Sequence, residues 1–155
     1  MYIPYIVSSI FVLGVVILCF FKPKIGRIFL GFFYIFLGII VHGIFIIKNP
    51  ESYINFGNSA SIQLYRELTT HLIALNPVVF GFLLMVFEVI MGLLILNKNT
   101  LIKIGLIGTI IFLLALIPMG KIQLIWLGLI VGQMYLFKRD FNTTFYSIIQ
   151  SKKRI

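Results

Sequence analysis

The stretch VVFGFLLMVFEVIMGLLIL, residues 78–96, decides the fold of this chain. Every residue in it is apolar or glycine except Glu88. A helix rises about 1.5 Å per residue, so about 20 residues cross a hydrocarbon core of about 30 Å. The stretch is therefore long enough to cross a membrane as a helix, with an ionisable side chain near its middle.

Four more apolar runs accompany this one, at residues 3–21, 25–47, 101–119 and 122–137. The last is short, but the flanking Lys121 and Lys138 can extend their ammonium groups away from an apolar region. Apolar residues make up 61% of the chain and charged residues 11%, whereas soluble domains have about 45–50% and about 25%. We predict an all-α, polytopic transmembrane bundle of five helices in contact with the lipid bilayer.

The net charge of +9 is distributed as a membrane protein requires, not as a nucleic-acid-binding surface. If the chain crosses five times, ten of its 13 basic residues fall on one side. Cytoplasmic loops carry the excess of Lys and Arg. We therefore predict a multi-pass protein of the cell membrane with an outside N-terminus and a cytoplasmic C-terminus, and no nucleic-acid partner. The ten residues are Lys22, Lys24, Arg27, Lys98, Lys103, Lys138, Arg139, Lys152, Lys153 and Arg154.

One connection, residues 48–77, is long and extracytoplasmic by the charge rule. Ser59 is a suitable N-cap for a helix that runs to about Leu75. Apolar and polar residues fall on opposite faces of that helix, so we predict an amphipathic helix on the membrane surface or over the bundle.

Small and polar residues share faces on the predicted spans, and such faces pack against protein because glycine lets backbones approach closely. On the second run, residues 27, 31, 34, 38 and 42 fall in one sector at 100° per residue. Cys19 is the only cysteine, so an intramolecular disulfide is excluded and a packing role is expected. The predicted packing residues are Arg27, Gly31, Gly38, Gly81, Gly92, Gly128 and Gly132.

Glu88 is the main functional candidate, because a charged group at the bilayer centre costs about 2.5–3.5 kcal/mol on insertion scales. Helix rise places Tyr34 and Gln133 within about 5 Å of its depth and His42 about 9 Å toward the outside. Tyr34 and Gln133 are thus the expected partners, and a Glu88 without a basic neighbour is expected to be neutral. Three roles stay open: structural hydrogen bonding, binding of a quinone, cationic or sterol-like ligand, and proton relay. The candidate ligand-binding residues are Glu88, Tyr34, His42 and Gln133.

Catalytic residues are not evident, and enzyme activity stays an open question. Glu67 and His71 are four residues apart and share a helical face, but two groups do not form a metal site. We therefore predict no metal site.

Two segments resemble the DoxX-like family of small membrane proteins: RIFLG at residues 27–31 with Gly38 and His42, and FEVIMGLLIL at residues 87–96. The resemblance implies a four-helix core at residues 25–137. The segment at 1–24 is then an extra N-terminal helix, which the family's common form lacks, and the charge pattern makes residues 138–155 a basic cytoplasmic tail. It also implies a small non-catalytic subunit or organiser of a redox or envelope complex, with membrane or peripheral redox-complex partners and quinone as a possible cofactor. The alternative is a ligand-binding bundle, an enzyme or a carrier, that uses Glu88.

Overall fold

A computed structural model describes residues 3–152 of the chain, and helices are its only regular elements. The all-α prediction is therefore confirmed for this part of the chain. Lys153 and Arg154 of the predicted tail lie outside the described residues. The helices are α1 (Ile3–Phe21), α2 (Pro23–Lys48), α3 (Ser52–Asn58), α4 (Gln63–Leu75), α5 (Pro77–Ile95), α6 (Thr100–Leu116), α7 (Gln123–Phe137) and α8 (Phe145–Lys152).

Five of these helices form a closed ring in the order α1, α2, α5, α6, α7 and back to α1. By length and composition, α1, α2, α5 and α6 with its 3-10 extension Ile117–Met119 can each cross a membrane. Helix α7 has 15 residues and is shorter. The described part of the chain is thus compatible with an integral membrane protein, while the fifth crossing stays a prediction.

Glycines bring α2 and α5 into backbone contact. A Cβ atom at Gly92 would lie 2.6 Å from the Gly31 carbonyl oxygen, and one at Gly31 would lie 3.0 Å from the Gly92 carbonyl oxygen. Seven residues after Gly31 on α2, a Cβ at Gly38 would lie 2.9 Å from the Met85 carbonyl oxygen. No side chain fits between the two helices at these points, so Glu88 on α5 is held close to α2.

Glycines also bring α7 close to α1, where they face side chains of α1. A Cβ at Gly128 would lie 2.5 Å from Val12 Cγ1, and one at Gly132 would lie 3.3 Å from Cys19 Sγ. Cys19 is fully buried there. Both glycines are therefore used for packing within the chain.

Arg27 joins three chain segments at the end of the bundle where α2 and α6 begin, which we call the Arg27 end. Its guanidinium Nη1 donates to the carbonyl oxygens of Asn97 and Thr143, each at 2.9 Å. The guanidinium also lies 4.9 Å from the centre of the Phe141 ring. The side chain is fully buried, so the segment after α7 folds back onto the bundle and is not a free tail at this point.

The opposite end, which we call the loop end, carries α3 and α4, which pack on each other. The prediction that Ser59 caps one long loop helix is wrong. Ser59 follows α3, and its hydroxyl lies 2.7 Å from the carbonyl oxygens of Phe56 and Met119. Helix α4 begins at Gln63 after an extended Ile62. Contact with the end of α6 outweighs the local capping preference of Ser59.

Helix α4 is amphipathic in a way that leaves part of its apolar surface open. Ile73 is fully buried against the loop end. Three leucines spaced four residues apart point outward, each more than half exposed: Leu64, Leu68 and Leu72.

We expect Gly92→Ala to destabilise the bundle, because the new methyl group would meet the Gly31 backbone, which cannot rotate away. Overpacking of this type costs about 1–3 kcal/mol. Gly43→Ala is the matched control on α2, since a Cβ there meets nothing within 4 Å. Thermal unfolding in detergent measures both. Equal melting temperatures for the two variants would contradict the backbone contact.

Candidate functional site

Glu88 and His42 come together where α2 leaves regular α-helical geometry. Residues Leu37–His42 form a π-helix within α2, whose i to i+5 hydrogen bonds widen the turn and often mark functional sites. His42 Nε2 lies 3.2 Å from Glu88 Oε2. Glu88 is 3% exposed, so a buried carboxyl faces an imidazole.

Tyr53 holds the other side of the His42 ring. Its hydroxyl lies 2.8 Å from His42 Nδ1, and the two rings stack at 5.7 Å. Tyr53 is on α3 and packs on Gly81 of α5, where a Cβ would lie 2.6 Å from its ring. Sequence reasoning identified Gly81 as a packing residue but missed Tyr53, whose signal was an aromatic residue just after the second apolar run.

Tyr53 is protonated at neutral pH. Burial, and to a lesser degree the charge of Glu88, raise the pKa of Tyr53 to about 12. Its hydroxyl group has two acceptors within reach, His42 Nδ1 at 2.8 Å and the His42 carbonyl oxygen at 3.5 Å. In the tautomer in which Nδ1 accepts from Tyr53, the imidazole proton is on Nε2, the nitrogen that faces Glu88.

A second hydrogen-bonded chain crosses the bundle beside this one. Thr109 Oγ1 donates to Gln133 Oε1 at 2.7 Å, and Gln133 Nε2 donates to the Tyr34 hydroxyl at 2.9 Å. Thr109 and Gln133 are fully buried, and Tyr34 is 1% exposed. Because Tyr34 accepts from the amide, its own hydroxyl proton is free to be donated to another group.

The expected partners of Glu88 are therefore wrong. Tyr34 and Gln133 bind each other, and His42 is the neighbour of Glu88. The premise that no basic side chain reaches Glu88 is also wrong. The depth estimate assumed a straight α-helix with 1.5 Å rise, whereas the π-helical segment packs more residues into each turn and advances less along the axis.

An interior cavity of about 160 Å³ lies against both chains. Tyr34, His42 and Glu88 line it together with Gln123, and its other walls are apolar and aromatic. Sequence reasoning missed Gln123 and the aromatic wall residues, because a phenylalanine or tryptophan in an apolar run gives no sign of the cavity it faces. The aromatic residues are Phe33, Phe56, Phe112 and Trp126.

One carboxyl oxygen of Glu88, a residue that lines the cavity, lacks a hydrogen bond. Glu88 Oε2 is buried and makes no hydrogen bond in the described part of the chain, although His42 Nε2 lies 3.2 Å from it. Buried polar atoms are nearly always hydrogen-bonded, and an exception calls for an explanation. Protein atoms cover Oε2, so a donor on a molecule within the cavity would satisfy it after rotation of the carboxyl group.

The arrangement suits an organic ligand better than a metal ion. In residues 3–152, no three His, Cys, Asp or Glu side chains lie close enough together to hold a metal. Glu67 is hydrogen-bonded to Gln63 at 2.9 Å on the exposed side of α4. The polar groups of the cavity are instead separated hydrogen-bond donors and acceptors within an apolar wall, as in small-molecule sites.

We expect Glu88→Leu to lower the stability of the bundle by about 1–3 kcal/mol, because the buried His42 imidazole would lose the carboxyl group that lies 3.2 Å from its Nε2. Glu88→Gln keeps an acceptor oxygen there, and its melting temperature in detergent should stay close to that of wild type. Glu67→Leu, an exposed acidic position, serves as the control and should change little. A melting temperature of Glu88→Leu equal to wild type would show that the His42 contact contributes nothing to folding.

Comparison with known proteins leaves the family undecided. The chain matches no family model, no curated protein and no solved structure. The resemblance to DoxX-like proteins thus stays a prediction from the sequence, and function must be inferred from the geometry of the site.

Proposed function

We propose that this chain is a multi-pass protein of the cell membrane whose five ring helices all cross the bilayer. Its polarity is reversed relative to a soluble protein: Arg27, Thr109 and Gln133 are fully buried, while large apolar side chains such as Ile10 (67% exposed) and Leu83 (60%) point outward. The outward leucines of α4 continue this apolar surface at the loop end. Lipid is the environment that such a surface requires.

The orientation that we propose has the loop end outside and the Arg27 end in the cytoplasm. The described basic residues at the Arg27 end outnumber those at the loop end, which are Lys48, Arg66 and Lys121. Cytoplasmic segments carry such an excess. The N-terminus is then outside, and α8 lies in the cytoplasm.

Single cysteines at Ser52 and Ser151 in a Cys19→Ala background test this orientation. We expect an impermeant maleimide added to intact cells to label Ser52→Cys and to leave Ser151→Cys unlabelled until the membrane is permeabilised. The opposite labelling pattern would show that the orientation is reversed. Labelling of both cysteines in intact cells would rule out an odd number of membrane crossings between residues 52 and 151.

We further propose that the bundle binds a small, ring-containing lipophilic molecule in the interior cavity. The observation that carries this proposal is a carboxyl group, that of Glu88, which belongs to a residue lining the cavity and has one oxygen without a hydrogen bond in the described part of the chain. An apolar protein cavity of about 150 Å³ accommodates a benzene molecule. The cavity of about 160 Å³ therefore has room for one substituted ring, and its aromatic walls can stack on that ring.

The polar groups of the cavity narrow the chemistry of the ring. Glu88 Oε2 requires a donor, and the Tyr34 hydroxyl supplies one. A ring that carries both a hydroxyl and a carbonyl or second hydroxyl oxygen satisfies both groups. A quinol has this chemistry, because it carries two ring hydroxyl groups. Its quinone has only carbonyl oxygens and fits when Glu88 is protonated and is itself the donor. Of the ligand classes considered from the sequence, this pair suits the cavity best.

The hydrocarbon tail of such a molecule can lie in a second space that adjoins the cavity. A wholly apolar groove of about 530 Å³ runs along the outer surface between α5 and α6, and Phe112 lines both this groove and the cavity. Movement of the Phe112 ring would join the two spaces. We propose that the ring occupies the cavity and the hydrocarbon tail occupies the groove, within the lipid.

The subunit hypothesis stays a second proposal, supported by the sequence resemblance alone. A small subunit of a redox or envelope complex would be recovered with partner proteins after mild solubilisation. Quinone binding is compatible with the subunit role. If the bundle binds no ligand, the subunit role is the function that remains proposed.

Trp126 provides a direct test of ligand binding, because it is the only tryptophan and it lines the cavity. We expect a short-chain benzoquinone to quench Trp126 fluorescence saturably in detergent. Leu113→Phe should abolish the saturable part, because Leu113 is 7% exposed and lines the cavity. Leu114→Phe, at a position that is 48% exposed on the same helix, should quench like wild type. Linear quenching with equal slopes in all three proteins would show partition into the micelle and no bound ligand.

A further inference from the structure

His42 lies between the interior cavity and a groove at the loop end of the bundle. It lines the interior cavity, and it also lines a groove at the loop end together with Phe45, Ser52, Tyr53, Asn55 and Phe56. Its side chain is 14% exposed, against 4% for that of Glu88. His42 and Phe56 line both spaces, and His42 is the polar one of these two shared residues.

We propose that Tyr53, His42 and Glu88 form a proton relay that connects the cavity to the solution at the loop end. This inference deepens the proposed ligand-binding function and rests on it, since the relay would supply protons to, or remove them from, the molecule beside Glu88. The links are the Tyr53 hydroxyl to His42 Nδ1 at 2.8 Å and His42 Nε2 to Glu88 Oε2 at 3.2 Å. Histidine is suited to this role because its two nitrogens can accept and release protons on opposite sides of the ring.

The proton balance of one transfer is simple. In the His42 tautomer with its proton on Nε2, the Tyr53 oxygen takes a proton from water in the groove and leaves hydroxide there. The Tyr53 proton moves to His42 Nδ1, and the Nε2 proton moves to the Glu88 carboxylate, so His42 ends with its proton on Nδ1. Three bonds to hydrogen form and three break, so one proton reaches Glu88 and no electron moves. The reverse sequence returns it to the groove. The 3.2 Å link becomes aligned by rotation of the His42 ring, and such contacts often tighten only when a ligand is bound.

The relay leads to one side only. The titratable side chains that line the cavity are Tyr34, His42 and Glu88, and those that line the groove are His42 and Tyr53. Tyr34 is hydrogen-bonded to Gln133, which in turn is hydrogen-bonded to Thr109, and neither of these two side chains titrates. Toward the Arg27 end, the fully buried side chains include the apolar Leu30, Ile95 and Leu136 and the guanidinium of Arg27. Protons on Glu88 should therefore equilibrate with the loop-end solution and not with the opposite one.

Dicyclohexylcarbodiimide tests this sidedness, because it enters membranes and reacts with protonated carboxyl groups. Right-side-out and inverted membrane vesicles expose the loop end to opposite solutions, so the pH on each side can be set separately. Labelling of the peptide that contains Glu88 is measured by mass spectrometry. We expect labelling to fall as the loop-end pH rises, by up to about tenfold per pH unit, and to ignore the pH of the other side. Glu88→Gln identifies the labelled position.

His42→Gln is the decisive variant, since an amide can hydrogen-bond to both neighbours but cannot carry a proton between them. We expect Glu88 labelling in this variant to lose its response to loop-end pH, and Tyr53→Phe to slow that response. Ser52→Ala, which alters the groove but not the relay, should respond like wild type. A full response in His42→Gln, a response to the opposite pH, or no labelling of Glu88 under any condition would each overturn the relay. Saturable Trp126 quenching that persists alongside any of these results would leave the ligand-binding function standing.

Discussion

The contact between the backbones of α2 and α5 is the constraint on which the rest of the structure depends. At Gly31, Gly38 and Gly92 a Cβ atom would lie within about 3 Å of a carbonyl oxygen of the facing helix, so the absence of a side chain at these three positions lets the two backbones approach closely. That approach brings Glu88 within reach of His42 and lets Tyr53 fit over Gly81. In lipid, where burial of apolar surface does not drive helices together, close van der Waals packing of this kind supplies much of the association energy.

Apart from Arg27, the buried polar side chains of the bundle form two short hydrogen-bonded chains, of which one is complete and one is not. The chain Thr109–Gln133–Tyr34 is fully buried, and each link has normal hydrogen-bond geometry. The chain Tyr53–His42–Glu88 ends in an oxygen that has no partner. A complete network fixes a fold, whereas an incomplete one beside a cavity suits binding. The same bundle thus has a structural polar chain and a chain that is ready to meet a ligand.

The sequence predicted the five long helices and several of the residues that face the bundle interior. Helix length, glycine spacing and the position of charges can all be read from composition and periodicity. It did not predict which polar groups would meet. The depth estimate for His42 assumed regular α-helical geometry, whereas Leu37–His42 is a π-helix. No local pattern in LGIIVH predicts that π-helix. Tyr53 and Ser59 were missed or misread for a related reason: their roles depend on contacts with α2, α5 and α6, which are distant in the chain.

Arg27 has a consequence for the order in which this protein can be assembled. Its guanidinium is bound by carbonyl groups that lie 70 and 116 residues later in the chain. In the membrane orientation that we propose, α2 is synthesised and inserted before Thr143 has been made. A buried guanidinium without acceptors is costly, so we expect Arg27 to stay at the lipid headgroups until the segment after α7 has been synthesised. A segment that follows Arg27 by 116 residues therefore closes the bundle around this charge.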